Sequence, residues 1–265
     1  MSGLDEQWFS FRGMRIRYVH RPSADQRIPL LIFNGLGQGI ESLQPIMDAM
    51  QGSAIIGFDV PGAGKSDVPR LPLRYCQHAR VARALLDQLN YPLVNVFGVS
   101  WGGGLAQQFT MQYSSRVEKL ILGAAVMGYM MFPANPLVYS KMSSPRRFTD
   151  ADYMQSIAGD IYGGDLRSDP ELVSNLLANQ PTPSPRGYFY QAMAMYGWTS
   201  VPGLWRIRQH TLVLQGRDDP LVRPANARLL SWLLPNSRLE ILDCGHLFML
   251  TRARKVAELI TEFVA

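Results

Sequence analysis

The sequence has few of the features that mark membrane, secreted or nucleic-acid-binding proteins. No apolar run approaches the roughly 20 residues that a membrane-spanning helix needs. The polar residues 1–7 lack the basic start and apolar stretch of a secretory signal, which predicts a cytoplasmic protein. Only two cysteines occur, Cys76 and Cys244, so we expect no disulfide framework. The net charge of +5 is mild and forms no dense basic stripe, which argues against nucleic acid as a partner.

Apolar runs and amphipathic stretches alternate along most of the chain. Its length of 265 residues is sufficient for one domain with an insertion. After a predicted hairpin over residues 8–19, apolar runs typical of buried strands end in glycine-rich loops. Strands that alternate with helices predict a mostly parallel central sheet flanked by helices. The predicted strands lie at 29–33, 54–60, 120–126, 211–215 and 239–242, with another that ends at 97, and the predicted helices include 41–50, 75–89, 225–234 and 251–264.

The alternation stops near Met127 and resumes near Arg206. This proline-containing stretch holds seven of the 13 methionines and seven of the 11 tyrosines. It predicts a helical insertion over the carboxyl ends of the strands, where sites form in parallel sheets. We therefore expect a core of residues 1–126 and 207–265 and a helical cap of residues 127–206.

The turn between the strand that ends at 97 and the next helix has the pattern Gly98-x-Ser100-x-Gly102. In a strand–turn–helix context this pattern is typical of a nucleophile elbow, in which the serine Oγ projects clear of the sheet. Small flanking residues are needed because strand and helix cross closely there. Ser100 is therefore the candidate nucleophile; the alternative is a tight structural turn that carries an exposed serine.

A serine nucleophile needs a base, usually a histidine, and a carboxylate that orients the base. The chain has four histidines. His20 lies in the predicted hairpin, His78 in a predicted helix, and His210 at the end of a strand opposite the site. His246 follows the strand at 239–242, on the carboxyl side of the sheet. Elimination and position both favour His246 as the base.

The orienting carboxylate should follow a strand between the serine and the histidine in the chain. Asp218 and Asp219 both follow the strand at 211–215, and their position alone leaves the choice between them open. An oxyanion hole would take two backbone N–H groups. We expect them from Trp101, directly after the serine, and from Leu36 in the first glycine-rich loop.

Longer motifs extend through both the core and the cap. They are Leu31-Ile32-Phe33-Asn34-Gly35, Phe58-Asp59-Val60-Pro61-Gly62, Val94 to Gly103, Ser144-Pro145-Arg146-Arg147, Ile161-Tyr162-Gly163-Gly164, Gly197-Trp198-Thr199-Ser200, Asp218-Asp219-Pro220-Leu221 and Gly245-His246-Leu247-Phe248. With these motifs the chain resembles the α/β-hydrolases, and more narrowly the intracellular medium-chain poly(3-hydroxyalkanoate) depolymerases. Asn34 stands where the wider family often has histidine, which leaves the backbone donor of that loop intact. In the register of the family the acid is Asp219.

The resemblance implies an α/β-hydrolase fold and hydrolysis of a storage polyester by Ser100, His246 and Asp219. It also implies that no metal or organic cofactor is needed and that the protein associates with polyester granules. Two alternatives remain: a small-molecule carboxylesterase or lipase-like enzyme, and a non-catalytic binding protein of the same fold.

The methionines and tyrosines of the cap suit a flexible, apolar substrate. From this region we expect Met127, Met131 and Trp198 to contact the substrate. Each of these side chains is equally suited to packing the interior of the cap.

Overall fold

The computed structural model describes residues 5–23, 27–148, 150–178 and 183–265, and an eight-stranded sheet lies at its centre. The strands are β1 (Glu6–Phe11), β2 (Met14–Arg21), β3 (Leu30–Phe33), β4 (Ile55–Phe58), β5 (Val94–Val99), β6 (Val117–Gly123), β7 (His210–Gly216) and β8 (Ser237–Leu242). Their order is β1-β2-β4-β3-β5-β6-β7-β8. β2 pairs antiparallel with β1 and β4, and all the other pairs are parallel. The predicted mostly parallel sheet is confirmed.

Helices flank the sheet. The α-helices are α1 (Gln44–Ala49), α2 (Tyr75–Gln88), α3 (Trp101–Gln112), α4 (Pro136–Ser143), α5 (Ala151–Tyr162), α6 (Pro170–Ala178), α7 (Pro185–Ala194), α8 (Pro224–Leu233), α9 (Phe248–Thr251) and α10 (Ala253–Val264). Short 3₁₀ helices lie at Ile40–Leu43, Ser114–Arg116, Pro145–Phe148, Gly164–Arg167 and Val201–Arg206. Within the described ranges, no helix is long and apolar enough to cross a membrane.

The central strands β3 and β4 are buried and carry no polar side chain, because both faces of the sheet are covered there. Along β3, Leu31 and Phe33 belong to one apolar cluster, while Leu30 and Ile32 belong to the other. Since side chains alternate along a strand, the two clusters lie on opposite faces. The loops at the carboxyl ends of β3, β5 and β7 thus follow strands that are buried on both faces.

The region between β6 and β7 is a helical cap, as the sequence predicts. The described part of residues 127–206 adds no strand to the main sheet; it forms α4 to α7 and three of the 3₁₀ helices. Residues 149 and 179–182 lie outside the described residues. Val138, Met154 and Ile161 belong to a separate apolar cluster in the cap. The division at 126/127 and 206/207 stays a prediction.

Several elements differ from the sequence-based expectation at their ends, including β6, β4 and the closing helix. The strand expected at 120–126 is β6, which ends at Gly123 because the next residue, Ala124, takes a φ of +41°. The strand expected at 54–60 is shortened to β4. The closing helix expected at 251–264 is divided into α9 and α10, with Arg252 between them at a φ of −135°. For β6 and for the closing helix, a local change in the backbone ends the element before the sequence pattern ends.

Candidate active site

Ser100 lies on a strained turn between β5 and α3. Its φ of +54° and ψ of −116° are unusual for a residue with a side chain. The turn requires glycine on both sides: a Cβ on Gly98 would lie 2.3 Å from the carbonyl oxygen of Gly102, and one on Gly102 would lie 2.2 Å from that of Phe33. The close approach predicted for this pattern is therefore present.

A chain of hydrogen bonds joins three of the candidate residues. The Oγ of Ser100 is 3.1 Å from Nε2 of His246, and Nδ1 of His246 is 2.8 Å from Oδ2 of Asp219. A carboxylate only accepts hydrogen bonds, so Nδ1 of His246 is the donor. The neutral ring then presents Nε2 as an acceptor to the serine hydroxyl, as a base must.

Asp219 is buried and held from several sides. Its Oδ1 accepts the backbone N–H groups of Leu221 and Val222, each at 2.9 Å. Its Oδ2 accepts Nε2 of Gln215 at 3.0 Å as well as the ring of His246. These four bonds fix the carboxylate in one orientation, with only 3% of the residue exposed.

Asp218 faces away from the histidine and makes a different set of contacts. Its carboxylate accepts Nε of Arg167 at 2.7 Å and the backbone N–H of Gly164 at 2.8 Å. The hydrogen bond from Arg167 lowers the pKa of Asp218. Asp219 is thus the carboxylate that contacts the histidine, and Asp218 is not, a choice that position in the sequence left open.

The other histidines lie in settings that do not suit a base. His78 is completely buried in α2, and burial lowers its pKa to about 3. His20 contacts the hydroxyl of Tyr91 at 2.9 Å, and burial lowers its pKa. His210 is exposed at the start of β7. Burial also raises the pKa of the Cys244 thiol to about 11, which keeps it protonated near neutral pH.

The end of α5 in the cap packs directly on the loops that carry Asp219 and His246. The backbone N–H of His246 donates to the carbonyl of Tyr162 at 2.7 Å, and the two rings are nearly parallel at 6.2 Å. A Cβ on Gly163 would lie 1.9 Å from the carbonyl oxygen of Asp218. The sequence motif at 161–164 marked this segment, but its spacing gave no indication of the contact with the histidine.

The two expected oxyanion donors both lie beside the serine. Leu36, Ser100 and Trp101 line one cavity. Trp101 is the first residue of α3, so its N–H has no acceptor within the helix. Leu36 lies in the loop after β3, where the Gly35 carbonyl accepts the N–H of Gln38 in a tight turn. The role of these two N–H groups as an oxyanion hole stays a prediction.

Two cavities meet at Ser100. A small one of about 60 Å³ lies beside His246, and a larger one of about 830 Å³ extends under the cap. The wall of the larger cavity includes four methionines and four tyrosines: Met131, Met142, Met193, Met195, Tyr129, Tyr139, Tyr188 and Tyr196. Methionine and tyrosine surfaces of this size suit a flexible apolar ligand.

The three residues expected to contact the substrate have different surroundings. Met131 lines the larger cavity. Met127 is completely buried in the main apolar cluster, and its carbonyl accepts the hydroxyl of Thr199 at 2.7 Å. Trp198 packs on Tyr75 with the ring centres 4.5 Å apart, and neither Met127 nor Trp198 is in the described cavity wall. Met127 and Trp198 pack at the junction between cap and core, and the substrate contacts expected for all three residues stay predictions.

Comparison with known proteins agrees with the fold. The family described as alpha/beta hydrolase fold matches residues 28–253, and the chain belongs to this family. Within it, the chain is 46% identical over 250 residues to a poly(3-hydroxyalkanoate) depolymerase from Ectopseudomonas oleovorans, covering 94% of this chain and 88% of that protein.

More distant relatives have other substrates in their names. A 2-hydroxy-6-oxo-6-phenylhexa-2,4-dienoate hydrolase from Comamonas testosteroni is 26% identical, covering 93% of this chain and 91% of its own. The crystal structure of the enol-lactonase from Burkholderia xenovorans LB400 superposes with a TM-score of 0.82 at 19% identity, covering 97% of this chain and 99% of that one. At that identity the superposition shows the shared fold alone.

Proposed function

We propose that this ester hydrolase of the α/β-hydrolase type cleaves poly(3-hydroxyalkanoate) to 3-hydroxy acids or short oligomers. The observation that carries the proposal is the hydrogen-bonded chain from Asp219 through His246 to Ser100, which ends at a large cavity lined by methionine and tyrosine. The 46% identity to a named depolymerase supports the choice of a polyester over other esters.

In the first half of the reaction, Oγ of Ser100 attacks the ester carbonyl carbon while its proton passes to Nε2 of His246. Asp219 stabilises the resulting imidazolium through Nδ1. The N–H groups of Trp101 and Leu36 hold the oxyanion. When the C–O bond breaks, His246 returns the proton to the leaving alkoxide oxygen, which departs as the hydroxyl end of the shortened polymer.

In the second half, water attacks the acyl group on Ser100, and His246 takes a proton from it. The tetrahedral intermediate collapses, His246 protonates Oγ of Ser100, and a 3-hydroxy acid or oligomer leaves with a new carboxylate. Neither half requires a metal or an organic cofactor for its proton and charge balance.

The test supplies the protein with medium-chain polyester granules and, separately, with p-nitrophenyl esters of increasing chain length. We expect release of 3-hydroxy acids or oligomers from the granules and faster cleavage of medium than of short soluble esters. Cleavage of soluble esters alone would favour a small-molecule carboxylesterase. Absence of both activities, with no labelling of Ser100 by an active-serine phosphonate, would favour a non-catalytic binding protein.

We further propose that the rim of the larger cavity contacts the granule surface. Tyr129, Tyr139, Met193 and Tyr196 line the cavity and also have exposed side chains; we call them the mouth residues. Exposed apolar groups next to a binding cavity mark an interaction site more often than scattered ones do. A water-insoluble polyester offers an apolar surface from which a chain segment can enter the cavity.

Replacing Tyr196 by serine tests this surface, because 81% of the residue is exposed. We expect sedimentation with granules to weaken and the ratio of polyester to p-nitrophenyl acetate hydrolysis to fall several-fold. Trp232→Ser is the matched control, since Trp232 is 79% exposed on α8 and does not line the cavity. An equal fall in the ratio for both variants would contradict the assignment of the mouth residues.

A further inference from the structure

One residue of the cap contacts both loops that supply the expected oxyanion donors. The backbone N–H of Gly37, directly after Leu36, donates to Oε1 of Gln191 at 2.9 Å. The indole Nε1–H of Trp101 donates to the backbone carbonyl of Gln191 at 2.8 Å. Gln191 lies on α7 and is completely buried. Gly37 and Trp101 lie in separate parts of the core, and Gln191 is hydrogen-bonded to both of them.

Both bonds use groups that the local structure leaves available. The N–H of Met195 bonds to the carbonyls of Ala192 and Met193, so the Gln191 carbonyl in the last turn of α7 is left for Trp101. Gly37 takes a φ of +75° within the tight turn that the bond from Gln38 N–H to the Gly35 carbonyl closes. The bond to Oε1 of Gln191 holds the Leu36–Gly37 peptide plane from outside the turn, and that plane adjoins the one that carries the Leu36 N–H.

The helix that carries Gln191 is itself fixed against the core. A Cβ on Gly187 would lie 2.0 Å from the carbonyl oxygen of Gly62, and one on Gly37 would lie 2.8 Å from the ring of Tyr188. Nε2 of Gln191 has no hydrogen-bond partner among the described residues. A buried, unpartnered donor is costly and uncommon in folded proteins. The side chain therefore makes its described hydrogen bond through Oε1 alone, to Gly37.

We propose that Gln191 is a positioning residue that sets the relative placement of the two oxyanion donors. This inference rests on the proposed function, in which Leu36 and Trp101 hold the oxyanion. Donors must be held within about 0.5 Å of the productive geometry to act in the transition state. The cap then contributes to the chemical step itself, in addition to covering the substrate.

The test compares Gln191→Met, which removes the acceptor for Gly37 with little change in volume, with Gln108→Met. Gln108 accepts Nε1 of Trp198 at 2.9 Å, a hydrogen bond between core and cap away from the oxyanion loops. For Gln191→Met we expect kcat on a soluble ester to fall about tenfold with KM within twofold, less than the roughly 10²–10³-fold lost when a donor is removed outright. Gln108→Met should leave kcat within twofold.

The affinity for a trifluoromethyl ketone tests the oxyanion hole directly. A general loss of packing around Gln191 would not lower this affinity selectively. The ketone forms a hemiketal with Ser100 whose oxyanion occupies the same hole, so its affinity should fall by the same factor as kcat in Gln191→Met. The affinity for the product acid, which forms no oxyanion, should stay within twofold. Should Gln191→Met fail to fold, Trp101→Phe removes the other bond and is expected to give the same selective loss.

Unchanged kcat and ketone affinity in Gln191→Met would overturn the proposal, and so would equal losses in Gln191→Met and Gln108→Met. Failure of the proposed function gives a different result: the wild type itself would then neither hydrolyse soluble esters nor bind the ketone through Ser100. The two failures are therefore distinguishable in one series of measurements.

Discussion

Replacing Ser100 by alanine is expected to lower kcat on a soluble ester by about 10⁶-fold, as loss of the nucleophile does in serine hydrolases. The reason is that no other nucleophile adjoins His246 in the described structure: its Nε2 contacts Oγ of Ser100, and burial holds the nearby Cys244 thiol protonated. Steady-state kinetics and labelling by an active-serine phosphonate measure the effect directly. The variant should also release no 3-hydroxy acid from polyester granules.

The fold of Ser100→Ala should be unchanged, because the backbone strain of the turn belongs to the residue position and the hydroxyl contributes one hydrogen bond, to His246. Thermal unfolding followed by circular dichroism checks this point. A folded variant that keeps more than about one per cent of kcat, far above the residual rate expected from the oxyanion hole and binding alone, would mean that another group is the nucleophile.

Replacing Asp219 by asparagine should lower kcat about 10⁴-fold, because the ring of His246 would then take the wrong tautomer. The oxygen of the new amide has to remain at Oδ1, where Leu221 and Val222 donate to it. Its NH₂ group then replaces Oδ2 and faces Nδ1 of His246. That ring can pair with a donor only by moving its proton to Nε2, where it can no longer accept the proton of Ser100.

Asp218→Asn is the matched control, one residue away in the same loop. Asp218 pairs with Arg167 at the surface, and half of its side chain is exposed. We expect kcat within threefold of the wild type and a loss of at most about 1 kcal/mol in stability, as for other exposed ion pairs. The reverse result, with Asp218→Asn inactive and Asp219→Asn active, would show that the acid has been assigned to the wrong residue.

Local sequence was sufficient for the parts of the site that depend on local geometry. The strained turn at Ser100 follows from glycines two residues to either side, and the sheet follows from apolar runs between glycine-rich loops. The histidine was found by elimination among four. The choice of Asp219 over Asp218 needed the family register, because adjacent side chains in a loop differ only in where the folded chain directs them.

Sequence was insufficient to predict contacts that depend on packing between segments far apart in the chain. Met127 and Met131 are four residues apart, yet Met127 is completely buried in the main apolar cluster, while Met131 packs against that cluster and also lines the cavity. Gln191 lies 154 residues from Gly37 and 90 from Trp101, and its spacing carries no sign of either contact. Such contacts depend on how the cap is placed on the core.

The attachment of α5 to the loops of Asp219 and His246 limits how the specificity of this enzyme can be re-engineered. The carbonyl of Tyr162 holds the backbone of His246, and the chain at Gly163 fits against Asp218 with no room for a side chain. A chimaera that exchanged the whole cap for that of another hydrolase would remove these supports together with the cavity wall. Altered substrate preference is therefore better sought by point substitutions at wall positions such as Met131 and Met193 than by modular transplantation.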